Sequence, residues 1–311
     1  MKRFAIAIDL GATNLRVALI SREGKILGKK SVPTPQSQSS QVIINEIVSL
    51  IQTTIKNSRT TINQIKGIGI SAAAPVDISK GEIVNPPNIP CKKISPTETL
   101  KKKFHLPVTL YNDCTAAVWG EKHFGKGKKY KNIVYITISS GIGGGIISND
   151  RLLLGRSGSA GEIGHFNIAA PYRFPCSCKK GINHWEGFCS GNNLPRFFKF
   201  WQKNHKITPP YYVHNAKEIF ALVKAKNKIA LKFLKEVNKL NALGISNVIV
   251  AYDPEIIILG GAVVLNNKEI ILAGIKKNVE KFLPIPKIVA TSLKSDVSLF
   301  GAAALLFWPP N

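Results

Sequence analysis

Acidic residues are scarce in this chain. Eighteen Asp and Glu stand against 43 Lys and Arg in 311 residues, a formal net charge of +25. Such a field attracts anions, from nucleotides and polyphosphate to nucleic acid or acidic membrane. The lysines are spread over the whole sequence, however, and the tightest groups, KGKKYK and KKK, lack interleaved aromatic residues. A nucleic-acid platform needs such stacking rings, and no helix-turn-helix precedes the first predicted strand. The charge reads as solvated surface, and no specific nucleic-acid partner is expected. Long apolar runs are missing too. The longest, FGAAALLFW near the C-terminus, is well short of the roughly 20 residues that cross a bilayer, so no membrane partner is expected. The opening MKRFAIAIDLGATN meets Asp9 after a short apolar run and has no cleavage site, which favours a strand over a signal peptide. Five cysteines, an odd number, speak against a disulfide framework and for a cytoplasmic protein.

What is present is alternation. Residues 3–9, 15–21 and 25–32 read as three strands separated by the turns LGATN and REGK. Apolar residues at 43, 44, 47, 48, 51 and 55 have helical spacing. GIGIS is a buried strand, NPPNIP a proline-rich loop, LPVTLYND a strand, and CTAAVWGEKHFG a helix that Gly125 is expected to close. A similar order recurs from residue 132. NIVYITIS and GGGIISN form a hairpin-like pair around SGIGGG, RLLLG continues it, helices fill 192–250, and PEIIILGGAV is a late buried strand. No low-complexity linker interrupts the chain. The pattern predicts a mixed α/β fold in two related halves with a cleft between them. The expected division is a small α/β domain over 1–115, with a C-terminal helix over about 298–311 packed back on it, and a large α/β domain over 116–297.

Three glycine-bearing loops follow strands. In DLGATNLR, Gly11 permits a tight turn, Thr13 and Asn14 add donors for a phosphate, and Asp9 can hold Mg²⁺ directly or through water. In SSGIGGG, Ser140 can donate a hydroxyl, and Gly141 and Gly143 let backbone approach a phosphate; no helix follows, so a Rossmann reading fails. In LGGAVV, Gly260 and Gly261 suit close packing against a flat ligand. Further along, YNDCTAAVWGE places Asn112 and Asp113 where a strand becomes a helix. An Asp there suits a general base for phosphoryl transfer, or else a cap of the helix. Finally, PCSCKKGINHWEGFCSG holds three of the five cysteines with His184 and Glu186. Cys176 and Cys178 offer two thiolates, and Cys₂His₂ is a sound tetrahedral zinc set.

Together the three loops resemble the phosphate and adenosine segments of the sugar kinase, actin and heat-shock ATPase superfamily, over nearly the whole chain. Asn-Asp followed by xxAAxxGE, the segment GEIGH (Gly161 to His165) and the C-x-C…H-x-E-x-x-x-S-G run resemble one family within it: ROK, named for its repressors, open reading frames and kinases. The resemblance implies a two-domain actin-like (ribonuclease H-like) fold and an ATP-dependent hexose kinase, most simply a glucokinase. It implies Asp113 as base, with Asn88, Asn112, Glu162, His165 and Glu186 as sugar ligands. It also implies a structural zinc held by His165, Cys176, Cys178 and His184, with Cys189 as rival to His184, whose place a third cysteine takes in the family. ATP and Mg²⁺ are the implied cofactors, and a homodimer or homotetramer the implied assembly. Other readings are a kinase for mannose, fructose, N-acetylglucosamine or N-acetylmannosamine, a polyphosphate-dependent glucokinase, and a sugar-sensing regulator. Two departures stand out: SAAAPVD with Ala73 and Ala74, and SSGIGGG with Ser139 and Ser140, each where the family pattern carries glycine or another small residue.

Overall fold

A computed structural model describes residues 2–87 and 89–310. The elements run in the order β1 (Phe4–Leu10), β2 (Asn14–Ser21), β3 (Ile26–Pro33), α1 (Ser40–Asn57), β4 (Ile65–Ala72), β5 (Val76–Asp77), β6 (Glu82–Val84), β7 (Lys93–Ile94), α2 (Pro96–Phe104), β8 (Val108–Asn112) and α3 (Asp113–His123). They continue with β9 (Ile133–Ile138), β10 (Ile142–Ser148), β11 (Arg151–Leu152), α4 (Trp185–Cys189), α5 (Leu194–Asn204), α6 (Ala216–Lys224) and α7 (Lys228–Tyr252). β12 (Ile256–Gly260), α8 (Ala262–Asn266), α9 (Lys268–Asn278), β13 (Lys287–Ala290) and α10 (Val297–Phe307) complete the chain.

Two compact units result. The first comprises residues 1–131, 145–161 and 292–311, and the second residues 132–144 and 162–291. Neither is continuous in sequence. The expected division sets 1–115 with the C-terminal helix over about 298–311 against 116–297; here residues 292–311 share the first unit, α3 also lies wholly in it, and the chain crosses between units inside β10.

The first unit is built on a sheet of order β3-β2-β1-β4-β8. β1 pairs antiparallel with β2 and parallel with β4. The alternation in β1 sorts its two faces. Ile6, Ile8 and Leu10 join the larger core under α1, whereas Ala5 and Ala7, with Ala18 and Ile20 of β2, join a second core with α10. Small side chains on that second face let α10 approach the sheet. The approach is tight enough to require glycine: a Cβ at Gly69 would fall on the Ala302 carbonyl, and one at Gly301 on the Ala116 carbonyl of α3. α3 ends at His123 with Phe124 as its cap rather than at Gly125, and the short strands β5 to β7 flank the proline-rich loop. Prolines hide such two- and three-residue strands from a periodicity argument.

The second sheet has the order β11-β10-β9-β12-β13, with β12 parallel to both β9 and β13. In the second unit the long α7 carries the short α4: Trp185 is fully buried, seated where Gly244 leaves room, and its indole N–H donates to Asn241 Oδ1 at 2.9 Å. That anchor fixes the start of α4 and hence the next residue, Glu186.

Candidate active site

In the first unit the β1–β2 hairpin turns over Gly11, Ala12 and Thr13. Gly11 N–H donates to the Asn14 carbonyl at 3.0 Å, and Thr34 Oγ1 donates to the Gly11 carbonyl at 2.6 Å. The side chains of Thr13 and Asn14 are left exposed. Asp9, at 7% exposure, is engaged by a residue that the sequence reading passed over. Arg16 Nε and Nη2 both donate to Asp9 Oδ2, at 2.9 and 2.6 Å, and Ser71 Oγ lies 3.4 Å from Oδ1. Arg16 Nη1 also donates to Asp296 Oδ1 at 3.2 Å and to the Ser295 carbonyl at 2.8 Å, and Lys29 Nζ donates to the same Asp296. Burial raises the Asp9 carboxyl above its ordinary value, with Arg16 and Ser71 pulling the other way. Antiparallel register signals this pair, because Asp9 and Arg16 are direct cross-strand partners.

At the end of β8 the helix cap is Asn112 and not Asp113. Asn112 Oδ1 accepts from Cys114 N–H at 2.9 Å and from Thr115 N–H at 3.4 Å, and its Nδ2 donates to the Ala74 carbonyl at 3.4 Å. This leaves Asn112 engaged in the fold by both ends of its amide. Asp113 is half-buried in the first turn of α3, with Oδ1 accepting from Cys114 N–H at 2.9 Å. Asn88 lies outside the described residues.

In the second unit the Ser139–Gly141 turn joins β9 to β10. Ser139 N–H donates to the Gly141 carbonyl at 2.9 Å. Gly143 stands inside β10 and not in the loop. Glu186 Oε2 accepts the Ile142 N–H at 2.8 Å. Gly260 ends β12 and Gly261 follows it. Gly261 has φ +86° and caps α8, and Cβ atoms at the two positions would fall on the Tyr135 ring and the Ile138 carbonyl of β9. What they pack against closely is thus the neighbouring strand.

His165, Cys176, Cys178 and His184 converge: one donor atom from each lies within 4.8 Å of all the others. His165 Nδ1 is 3.2 Å from His184 Nδ1, and Cys178 Sγ is 3.5 Å from the same nitrogen. The 3₁₀ turn Ile163–His165 presents His165, whose Nε2 faces Glu162 Oε2 at 3.7 Å, with Glu162 exposed. Burial and the neighbouring His165 ring hold His184 below its usual value, opposed by Glu186. Burial pushes the Cys176 thiol up. Cys189 does not join the group. It is fully buried with Sγ directed at the Val237 carbonyl of α7, at 3.7 Å.

Three comparisons agree with this architecture. The model of the ROK family matches residues 5–307. A glucokinase of Pyrobaculum calidifontis is 33% identical over 312 residues, covering 98% of this chain and 96% of that protein. Among solved structures, the ROK hexokinase of Thermus thermophilus is similar with a TM-score of 0.80 at 26% identity, covering 97% of each chain. A ROK family glucokinase from Streptomyces griseus, in complex with glucose and AMPPNP, has a TM-score of 0.77 at 26% identity, covering 97% of this chain and 98% of that one. The α/β, actin-like fold read from the sequence stands, and the chain belongs to the ROK family.

Proposed function

We propose that this chain is an ATP-dependent glucokinase that phosphorylates glucose at its 6-hydroxyl. The reading draws on relatives that carry that name and on one that holds glucose with an ATP analogue. The observation that carries it is Asp113. Its carboxyl is oriented by the Cys114 amide at the start of α3, on a turn that Asn112 clamps from the preceding residue. A phosphoryl transfer asks the protein for little covalent chemistry beyond such a placed base.

Asp113 takes the proton of the 6-hydroxyl as that oxygen attacks the γ-phosphorus, and the bond from the γ-phosphorus to the oxygen of ADP breaks. Glu162, His165 and Glu186 hold sugar hydroxyls, with carboxylates accepting from them and the imidazole reading a third. Asn112, its amide oxygen held by the helix cap, contributes by fixing the Asp113 turn. The Ser139–Gly141 turn and the exposed Thr13 and Asn14 meet the phosphates, where preorganised donors stabilise developing charge. Mg²⁺ bound with the nucleotide would neutralise phosphate charge; Asp9, whose Oδ2 is held by Arg16, suits contact through a retained water.

The four-residue group in the second unit fits zinc. Ligand atoms around a tetrahedral zinc stand about 3.3–3.8 Å apart; the separations to His184 Nδ1 are 3.2 and 3.5 Å, and all four donor atoms lie within 4.8 Å of one another, close enough for small side-chain shifts to close the set. His165 Nδ1, Cys176 Sγ, Cys178 Sγ and His184 Nδ1 would hold the ion. When bound it would lock the His165 ring, leaving Nε2 turned toward Glu162 and the sugar.

The experiment is a coupled assay over glucose, mannose, fructose, N-acetylglucosamine and N-acetylmannosamine, each with ATP and with polyphosphate. Glucose with ATP is expected to give the highest kcat/KM. A clear preference for an N-acetylated sugar or for polyphosphate would replace the substrate or donor named here.

A further inference from the structure

Ile142, at the start of β10, is touched by both sugar-facing segments of the second unit. Its N–H donates to Glu186 Oε2 at 2.8 Å. Its carbonyl is covered by Gly164 of the 3₁₀ turn that carries His165, so closely that a Cβ at 164 would fall on that oxygen. The preceding Gly141 is shaped to the same carboxylate: a Cβ there would stand 2.6 Å from Glu186 Oε2. The rest of the turn is tied to the chain just after α4. The Ser139 carbonyl accepts from Gly191 N–H at 2.6 Å, and the Ser140 carbonyl from Asn192 N–H at 3.3 Å.

We infer that the Ser139–Ile142 turn and the sugar-facing residues of this unit form one block, in which Glu186 positions the phosphate turn and Gly141 sets hexose affinity. This rests on the kinase reading above. The physical reason is preorganisation. A glutamate pinned through Oε2 presents Oε1 in a fixed direction before any sugar arrives, so the ordering cost is met on folding. The same bond fixes the Ile142 amide plane and with it the path of the turn. Whatever moves Glu186 therefore moves the turn, and the coupling is reciprocal.

The test is calorimetric titration of the full chain with glucose alone and with AMPPNP alone, for wild type, Gly141→Ala, Glu186→Ala, Glu186→Gln and Ser140→Ala. Gly141→Ala, on the phosphate side, is expected to weaken glucose binding roughly tenfold with no nucleotide present. Glu186→Ala, on the sugar side, is expected to weaken AMPPNP binding at least about fivefold with no sugar present. Glu186→Gln keeps an oxygen for the Ile142 N–H and is expected to restore AMPPNP affinity while glucose binding stays impaired. Ser140→Ala is expected to affect AMPPNP alone. Wild-type glucose affinity in Gly141→Ala together with wild-type AMPPNP affinity in Glu186→Ala overturns the inference. If Gly141→Ala loses its circular dichroism signal, the AMPPNP arm of Glu186→Ala decides. Failure of the wild type to bind any hexose overturns the functional reading instead, and the same AMPPNP arm still decides whether Glu186 positions the turn.

Discussion

Removing the Arg16 guanidinium is expected to destabilise the first unit by about 3 kcal/mol at neutral pH, and by progressively less in acid. The magnitude follows from burial. The side chains of Arg16 and Asp9 are 20% and 10% exposed, and both Nε and Nη2 donate to Asp9 Oδ2. An open surface pair contributes roughly 0–1 kcal/mol, whereas breaking a buried one costs about 3–5 kcal/mol because a charge is left alone. The residual solvent access places Arg16→Ala at the lower end. For a unit of this size that is a fall of roughly 6–12 °C in Tm. The pH dependence has a definite sign. Burial already raises the Asp9 carboxyl above its ordinary 3.8 in the presence of Arg16. An acid whose folded pKa is raised gives stability that is fully present below 3.8 and lost as pH rises through the folded value. Without Arg16 the folded value climbs further, so the deficit is largest at pH 7 and closes toward pH 4. Urea denaturation of wild type and variant at pH 7, 6, 5 and 4 measures this. Arg16→Lys should fall between the two, since an ammonium is a point charge without the twin N–H fork. Adding Asp9→Asn to Arg16→Ala should recover much of the loss. A deficit under about 1 kcal/mol, or one that does not vary with pH, would refute the reasoning.

His123 stacks on Trp308 with ring centroids 4.5 Å apart, its Nε2 is buried without a partner among the described residues, and burial together with Lys122 lowers its pKa to about 4. The folded protein keeps this ring neutral, so stability should fall as pH drops from 6.5 toward 4, and His123→Phe should flatten that part of the profile in a melting series. Gly301→Ala places a Cβ on the Ala116 carbonyl, a backbone atom that cannot swing aside. Overpacking of about 1–3 kcal/mol or more is expected, read as a lower denaturation midpoint with an accompanying loss of turnover, because α3 carries Asp113. For the zinc group, His184→Ala should abolish stoichiometric metal in elemental analysis and Cys189→Ala should retain it. The reverse result would move the third ligand of the loop to Cys189.

The strand over residues 3–9 was readable from its short β-rich run and the turn after it, whereas the two cores it divides, Ile6 and Ile8 on one face and Ala5 and Ala7 under a helix on the other, come from the fold. The convergence of His165, Cys176, Cys178 and His184 was expected from the resemblance to the ROK segments, since the C-x-C pair by itself offers only two thiolates. Arg16 was not found, since its role depends on hairpin register: only the pairing of residue 9 with residue 16 puts its guanidinium on Asp9. Nor was the Glu186–Ile142 bond, because nothing local relates residues 44 positions apart. The return of the C-terminal helix to the first unit was expected, but the crossings near residues 131, 144 and 161 were not, because α3 belongs with α10 through glycine-mediated packing that no linker signals. Asn112 and Asp113 were distinguished only by geometry, since either residue type can cap a helix.

Asp113 is the residue we propose as base of an ATP-dependent glucose kinase. The most direct measurement is single-turnover formation of glucose 6-phosphate by Asp113→Asn with saturating glucose and Mg-ATP, beside circular dichroism and glucose titration of the same variant. Turnover is expected to fall by about 10²–10⁴ with the fold intact and glucose still bound. Near-normal turnover in a folded Asp113→Asn would contradict it.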